Sequence, residues 1–526
     1  MRDFHLPGRS TVHCQHAALA TSHPLATSAG LDVLRRGGNA VDAAVCAAGV
    51  LAVVEPEQSG LGGDCFAIVS APGRDVVALD GAGWAPAAAT RQWYADRGFR
   101  SMPFDGPHSV TVPGAVDAWC RLLEDFGTWG IGDVLAPAID YAAEGHPVHE
   151  RVGHDWKSCV VKLSQDSHAA AVFLPGGRAP ETGEMFRQPL LAQTLRAVAA
   201  GGRDAFYAGP IARDIVARLR ELGGLHDLDD FADYRSRYVP PLAAPYAGMD
   251  ILQCPPSGQG FTTLAMLRLL DALGCHGGDP LSPRRFHLFA EAAKLAYGAR
   301  DRLVGDDPRS RAMAEEWLSP DNVARLAHGI DPDVASPAPY PARAMANTVY
   351  VCAVDDRRTV VSLISSVYQS FGSGIVSPRS GVALQNRGAG FSLIEGHPNV
   401  IAGRKRPLHT IIPGLTMRDG KPVTAFGMVG GDFQPFGQSW LVSNMVDFGL
   451  DPQRAIDLPR AFAFDGAYRL ERTVPESVAV ELARMGHSPA RWPLPLGSAQ
   501  IVSIDWQKGL IAAGSDGRTD GCALGY

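Results

Sequence analysis

The sequence predicts a layered α/β fold, with two β-sheets in the middle and helices covering them. Three observations lead there. Apolar residues recur at helical spacing through most of 113–302, with clear faces at 190–199, 211–222, 262–273 and 286–297. At Thr348 the pattern switches to short runs, 348–354 and 360–366, that are apolar on both faces, as central strands of a covered sheet are. Helical spacing returns at 438–448 and 475–485 among further strands, so helices precede and follow the sheets and are expected to cover them.

Ser22-His23-Pro24 opens a helix with a hydroxyl cap and an early proline, Leu25, Ala29 and Val33 lie on one face, and Arg35-Arg36-Gly37-Gly38 closes it. Asn39 caps a second, almost wholly apolar helix through Ala40, Ala44, Leu51 and Val54, which stops before Pro56 and must lie against a core on most sides. A glycine-rich stretch follows, Ser59-Gly60-Leu61-Gly62-Gly63-Asp64, and then a hairpin, 65–70 and 76–79, joined by Ala71-Pro72-Gly73-Arg74. After the helical region, 336–344 holds Pro337, Pro339 and Pro341 among small residues and reads as an exposed connector that can be cut. The strands from Thr348 turn at Asp355-Asp356-Arg357-Arg358. A further hairpin, 410–417 and 422–429, turns on Asp419-Gly420, and two strands, 501–505 and 509–513, come near the end. There is no internal repeat and no low-complexity tract.

Composition narrows the function. The 526 residues are 46% hydrophobic and 20% charged, as in a well-packed globular protein, and the net charge of −7 offers no footprint for nucleic acid or an anionic membrane. The start, Met1 to Gly8, lacks the apolar run of a secretory signal, so a cytoplasmic location is expected. Nine separated cysteines with no C-x-x-C pair argue for reduced, mostly buried thiols and against disulfides or a zinc site. His146, His149 and His154 have a suggestive spacing, but Pro147 and Gly153 are expected to break any helix aligning them, which leaves a solvated loop and no metal. The basic run Gly403-Arg404-Lys405-Arg406-Pro407 is expected to be a loop near the site that adds positive potential. Gly60-Leu61-Gly62-Gly63 is not followed by a nucleotide-binding helix, and no Walker, G-x-S-x-G or H-E-x-x-H sequence occurs, so no cofactor is implied.

Thr348 would pass as an ordinary strand threonine, but its surroundings single it out. Asn347-Thr348-Val349-Tyr350-Val351-Cys352-Ala353-Val354-Asp355 is followed by Phe371-Gly372-Ser373-Gly374 and Gly430-Gly431-Asp432. Upstream stand Gly38-Asn39-Ala40-Val41-Asp42-Ala43-Ala44, Glu55-Pro56, Val112-Pro113-Gly114, Pro255-Pro256-Ser257-Gly258, Glu291-Ala292-Ala293-Lys294, Tyr297 and Arg300-Asp301, with Asp520-Gly521 near the end. This ordered set resembles the γ-glutamyltranspeptidase superfamily over nearly the whole chain. The resemblance implies a four-layer αββα sandwich of the N-terminal-nucleophile hydrolase type. It implies self-cleavage between Asn347 and Thr348 into a large chain, 1–347, and a small chain, 348–526, that stay together in one αββα unit as a heterodimer, with a dimer of heterodimers as an alternative. Thr348 would be the nucleophile and its freed α-amine the base, Gly430 and Gly431 the oxyanion donors, and Ser366 a hydroxyl that orients the nucleophile.

The substrate side departs from the family. The arginine that grips a glutamyl carboxylate falls at Ala82, in Asp80-Gly81-Ala82-Gly83-Trp84-Ala85-Pro86. The glutamyl-binding asparagine corresponds to Tyr368, the glutamine and aspartate segment reads Asn386-Arg387-Gly388-Ala389-Gly390, and the paired serines become His409-Thr410. Arg387, Tyr368, His409 and Thr410 are therefore the expected substrate-binding residues, and a guanidinium suits a carboxylate. Together with the absent signal, this is similar to the oxamate amidohydrolase branch, which implies hydrolysis of oxamate to oxalate and ammonia in the use of purine-derived nitrogen. A γ-glutamyltransferase or glutathione hydrolase with a rebuilt pocket, and an unprocessed relative kept as a binding protein, are the competing readings.

Overall fold

The computed structural model describes residues 8–340, 346 and 348–526. Two seven-stranded antiparallel sheets face each other. The first runs Cys522–Gly525, Ala18–Thr21, Val349–Val354, Val360–Ser366, Asp64–Ser70, Val77–Gly81, Arg237–Val239. The second runs Val12–Cys14, Leu510–Ser515, Ala499–Asp505, Lys421–Met428, Gly414–Arg418, Met249–Gln253, Leu242–Tyr246. Why the strand after Thr348 is apolar on both faces is now plain. Tyr350, Cys352 and Val354 meet Leu415, Ala425 and Val502 of the other sheet, whereas Val349, Val351 and Ala353 face the helices.

Helices Pro24–Arg35, Ala40–Val54, Ala115–Phe126, Ile131–Glu144 and Pro189–Tyr207 cover the first sheet, and Gly260–Ala272, Pro283–Leu303 and Gln434–Val446 cover the second. The order is the expected αββα. All fifteen residues of Ala40–Val54 are buried, and Asn39 and Asp42 close a reciprocal capping box at its start. Each Val or Leu in it contributes about 1.5–3 kcal/mol by burial, so the hydrophobic effect holds this helix in place.

Several expectations are corrected. The region 113–302 is not helical throughout: it also supplies Arg237–Val239, Leu242–Tyr246 and Met249–Gln253. Leu242–Tyr246 is a sheet edge, which tolerates Pro245 and disguises the strand in the sequence. The strand expected from 410 begins only at Gly414, which leaves Thr410 in a loop. The helix Glu150–Lys157 runs through Gly153 and carries His154, while His146 is buried and His149 packs its ring 4.1 Å from that of His23. All nine cysteines are unpaired and seven are buried. Ser336 to Pro339 are exposed as expected, while the connector residues 341–344 and Asn347 lie outside the described residues. Among the described residues no helix is long and apolar enough to cross a membrane.

Candidate active site

Thr348 stands just before Val349–Val354 and is buried. Its Oγ1 donates to Ser366 Oγ at 3.2 Å, and Ser366 Oγ also accepts the Tyr368 N–H at 2.8 Å. Strand register produces this meeting. Val349 lies opposite Ser365, and Ser366 lies opposite Asp64, so three neighbouring strand ends bring Thr348, Ser366 and Asp64 together. The glycine-rich stretch before Asp64 packs directly on them: a Cβ on Gly63 would sit 2.5 Å from the Ser366 carbonyl oxygen, which only glycine avoids.

The facing wall comes from the second sheet. Beyond Lys421–Met428 the chain turns through Gly430 and Gly431, whose φ angles of 122° and 61° exclude ordinary side chains. The Gly430 carbonyl accepts from Phe433 N–H at 3.1 Å, which fixes the peptide plane carrying the Gly431 N–H. Among the described residues neither the Gly430 nor the Gly431 N–H has an acceptor. Two donors in buried residues, without acceptors among the described residues, are the kind of group that can receive an oxyanion. A cavity of about 140 Å³ lies alongside, lined by Ala346, Gly430, Gln58, Arg151, Ser498 and Thr519 among others.

Arg387 begins the short helical turn Arg387–Gly390 and is 1% exposed. Its Nη1 donates to Thr410 Oγ1 at 2.7 Å, its guanidinium lies 4.0 Å from the centre of the Tyr368 ring, and its Nε and Nη2 have no hydrogen-bond partner among the described residues. Among the described residues no carboxylate is within ion-pairing distance of it, the nearest acidic influences being the more distant Asp64 and Asp432. Burial pulls its pKa down to about 10, which still leaves a cation at neutral pH. Tyr368 holds φ at 78°, a strained backbone for a bulky residue, and with it the ring under the guanidinium.

His409 departs from its expected role. Its Nε2 meets Asp64 Oδ2 at 2.9 Å and its Nδ1 accepts from Ile411 N–H at 3.3 Å, so the fully buried ring keeps no nitrogen for a substrate. Burial, then the Arg387 charge, holds the imidazole neutral, and these contacts fix the Nε2–H tautomer. Asp64 is pushed up to about 6 by burial, against the lowering effects of Arg387, Gln385 and the Gly83 and Gly114 amides. Ala82 is also fully buried, its carbonyl accepting from Tyr234 Oη at 3.0 Å and Arg406 Nε at 3.1 Å. Arg404 pairs with Asp233. Two charges of the basic run are thus spent on structure, rather than standing towards a substrate as expected.

The structure therefore joins Thr348, Ser366, Tyr368, Arg387 and Thr410 in one continuous set of contacts and sets His409 behind them. Sequence reasoning missed Asp64, Gln259 and Arg300 as parts of this site. Asp64 ends the glycine-rich stretch and Arg300 lies in a quoted signature, so position offered a signal for these two; nothing marked Gln259.

Comparison with known proteins agrees with this geometry. The family model described as Gamma-glutamyltranspeptidase matches residues 26–526. The glutathione hydrolase-like YwrD proenzyme of Bacillus subtilis is 34% identical, over 96% of this chain and 98% of that protein. The oxamate amidohydrolase proenzyme of Klebsiella pneumoniae is 33% identical, over 97% and 98% respectively. The crystal structure of cephalosporin acylase from Bacillus halodurans superposes with a TM-score of 0.92 at 35% identity, covering 100% of this chain and 99% of that one. With its two covered sheets and the threonine at the head of a central strand, the chain belongs to the γ-glutamyltranspeptidase family of self-processed N-terminal-nucleophile hydrolases, which cleave C–N bonds.

Proposed function

We propose that the chain cuts itself between Asn347 and Thr348 and that the freed Thr348 hydrolyses a small amide bearing a carboxylate, with oxamate as the leading substrate. Thr348 Oγ1 attacks the Asn347 carbonyl carbon, the acyl group moves from nitrogen to oxygen, and water splits the ester to give chains 1–347 and 348–526. The new α-amine, which titrates near ~8, then takes the proton from Oγ1 as the hydroxyl attacks the substrate amide, and passes it to the departing nitrogen. Ammonia leaves, and water hydrolyses the acyl-enzyme. Ser366 orients the hydroxyl, and the Gly430 and Gly431 amides hold the oxyanion. Arg387, backed by Tyr368 and Thr410, receives the carboxylate.

One observation carries the substrate reading: Arg387 is a buried cation with two unused donors and no paired acid among the described residues. Such a charge costs the fold unless an anion joins it. The buried Ala82, where the family's glutamyl-binding arginine is expected, supports a pocket no longer built for a glutamyl group. The test is ammonia release by the processed protein from oxamate, set against release of the amine from glutathione and other γ-glutamyl amides. Turnover of oxamate with slow or no γ-glutamyl cleavage is expected; glutathione hydrolysis with inert oxamate overturns the reading.

A further inference from the structure

The carboxamide of Gln259 is fully buried and makes three hydrogen bonds. Its Nε2 donates to the Thr410 carbonyl at 2.7 Å and to the Gly431 carbonyl at 3.0 Å, and its Oε1 accepts from Arg300 Nη1 at 2.6 Å. The orientation admits no flip, because a guanidinium only donates and a carbonyl only accepts. The two carbonyls belong to different parts of the site: Thr410 binds Arg387 through its hydroxyl, and Gly431 is one of the oxyanion glycines. The same Arg300 nitrogen also bonds the Asp432 carboxylate, while Tyr297 Oη donates to the Asp432 carbonyl at 2.5 Å. Backbone bonds tighten the joint, since Gln259 N–H donates to the His409 carbonyl at 2.9 Å and His409 N–H to the Ser257 carbonyl at 3.0 Å.

We propose that Gln259, held by Arg300, is a positioning residue that ties the carboxylate-binding side of the site to the oxyanion loop, so that a substrate anchored on Arg387 meets amides already set for its oxyanion. The idea rests on the reading of Arg387 given above. Its physical content is simple. One rigid amide fixes the Thr410–Ile411 and Gly431–Asp432 peptide planes relative to each other; the second adjoins, at the Gly431 Cα, the plane that carries the Gly431 N–H, and displacing that donor by a fraction of an ångström costs rate rather than affinity. A residue that served only to fill the core would need neither the two donors nor the guanidinium on its oxygen.

The test compares oxamate with oxamide, a neutral analogue of similar shape, in Gln259→Met and Gln259→Glu. Methionine keeps the volume and removes all three bonds. Glutamate keeps the partner of Arg300 and loses both donors until it is protonated. For Gln259→Met, kcat on oxamate is expected to fall about 10- to 100-fold, and the preference for oxamate over oxamide to shrink with it. For Gln259→Glu, the loss is expected to be partly recovered as the pH is lowered, since a protonated carboxyl returns one donor. A role in packing alone would lower thermal stability and the fraction of active protein, leaving kcat per active site, the oxamate-to-oxamide ratio and the pH profile as in the parent.

If both variants keep kcat within about twofold and the parent ratio, while Arg387→Met abolishes that ratio, the proposal is wrong and the Arg387 reading stands. If the parent does not distinguish the two amides, the Arg387 reading fails. The bridge is then judged by kcat on the amide that is turned over, and unchanged rates overturn it. The first-order rate of self-cleavage under native conditions supplies a second rate measurement for variants that mature slowly: slowed cleavage in a precursor that melts like the parent is expected, and parent-like cleavage together with parent-like kcat overturns the proposal.

Discussion

Replacing Arg387 with methionine separates function from stability. In the parent, Nε and Nη2 have no partner among the described residues and Nη1 already binds Thr410. A carboxylate received by the two unused donors would form two charge-assisted bonds, each worth about 1.5–3 kcal/mol. Losing both costs about 3–6 kcal/mol, or about 150- to 25,000-fold in kcat/KM for a carboxylated amide. The fold should respond far less. Burial lowers the guanidinium pKa to about 10, a fall that converts to about 3 kcal/mol of disfavour for the charged form in the native state. The sign follows from the native value lying below the unfolded one: the cost is complete at every pH below about 10 and is relieved only above it. Against this relief stands loss of the Tyr368 stacking, about 0.5–2 kcal/mol, and of one hydrogen bond to Thr410. These terms roughly cancel, so Arg387→Met should unfold close to the parent Tm, with a difference flat between about pH 6 and 9. The assays are steady-state ammonia release and a thermal melt of the same preparation. A Tm several degrees below the parent, with activity lost only in proportion to unfolded protein, would refute the argument and make Arg387 structural.

The remaining expectations concern the nucleophile and its supports. Thr348→Ala should stay a single chain on denaturing electrophoresis and release no ammonia, whereas Thr348→Ser, which keeps a hydroxyl and an α-amine, should be cut and retain part of the activity; two fragments from the alanine variant would move the cleavage chemistry elsewhere. Turnover should rise with pH through an ionisation near ~8 as the Thr348 α-amine loses its proton, while self-cleavage, in which that nitrogen is still an amide, should lack this limb; identical profiles would remove the amine from its role as base. Asp64→Asn should cost about 1–3 kcal/mol at neutral pH. An asparagine oxygen can still take the Gly83, Gly114 and Gln385 donors, but its NH₂ then faces the His409 N–H, and the other ring nitrogen already accepts from Ile411. A denaturant midpoint unchanged from the parent would show that this hydrogen-bond set does not fix His409. For Asp64 itself, a native pKa of about 6 lies above the unfolded value, so protonation stabilises the native state as the pH falls from about 6 towards the ordinary carboxylate range.

How much of this was legible depends on the range over which each feature is encoded. The helix Ala40–Val54 and the strands after Thr348 are local: an apolar run, an Asn39 cap and a change of period suffice, and the structure agrees. The strands Arg237–Val239 and Leu242–Tyr246 are short, contain or adjoin proline, and gain their pairing only from Val77–Gly81 and Met249–Gln253, so no local pattern announces them. Val12–Cys14 and Cys522–Gly525 are three and four residues long and are strands only because Leu510–Ser515 and Ala18–Thr21 lie beside them.

The site divides along the same line. Thr348, Gly430 and Arg387 stand out in the sequence because each residue type restricts the chemistry it can offer, a hydroxyl, a positive φ and a guanidinium, and the structure places them around one site. His409 was placed on the substrate side because sequence order cannot say which way a ring points. Its direction is set by Asp64, which is 345 positions away in the chain and arrives through the register of Asp64–Ser70 on Val360–Ser366. Gln259 is the more telling case. A buried glutamine has no characteristic motif, and its meaning lies wholly in the three groups around it, drawn from 300, 410 and 431. The two-sheet architecture gives such a residue its place: Thr348 rises from one sheet and Gly430 and Gly431 from the other, and packing between sheets fixes their separation but not the tilt of individual peptide planes. That finer adjustment falls to directional bonds, and a carboxamide, which donates twice and accepts at once, is the smallest side chain able to set two planes and be held itself.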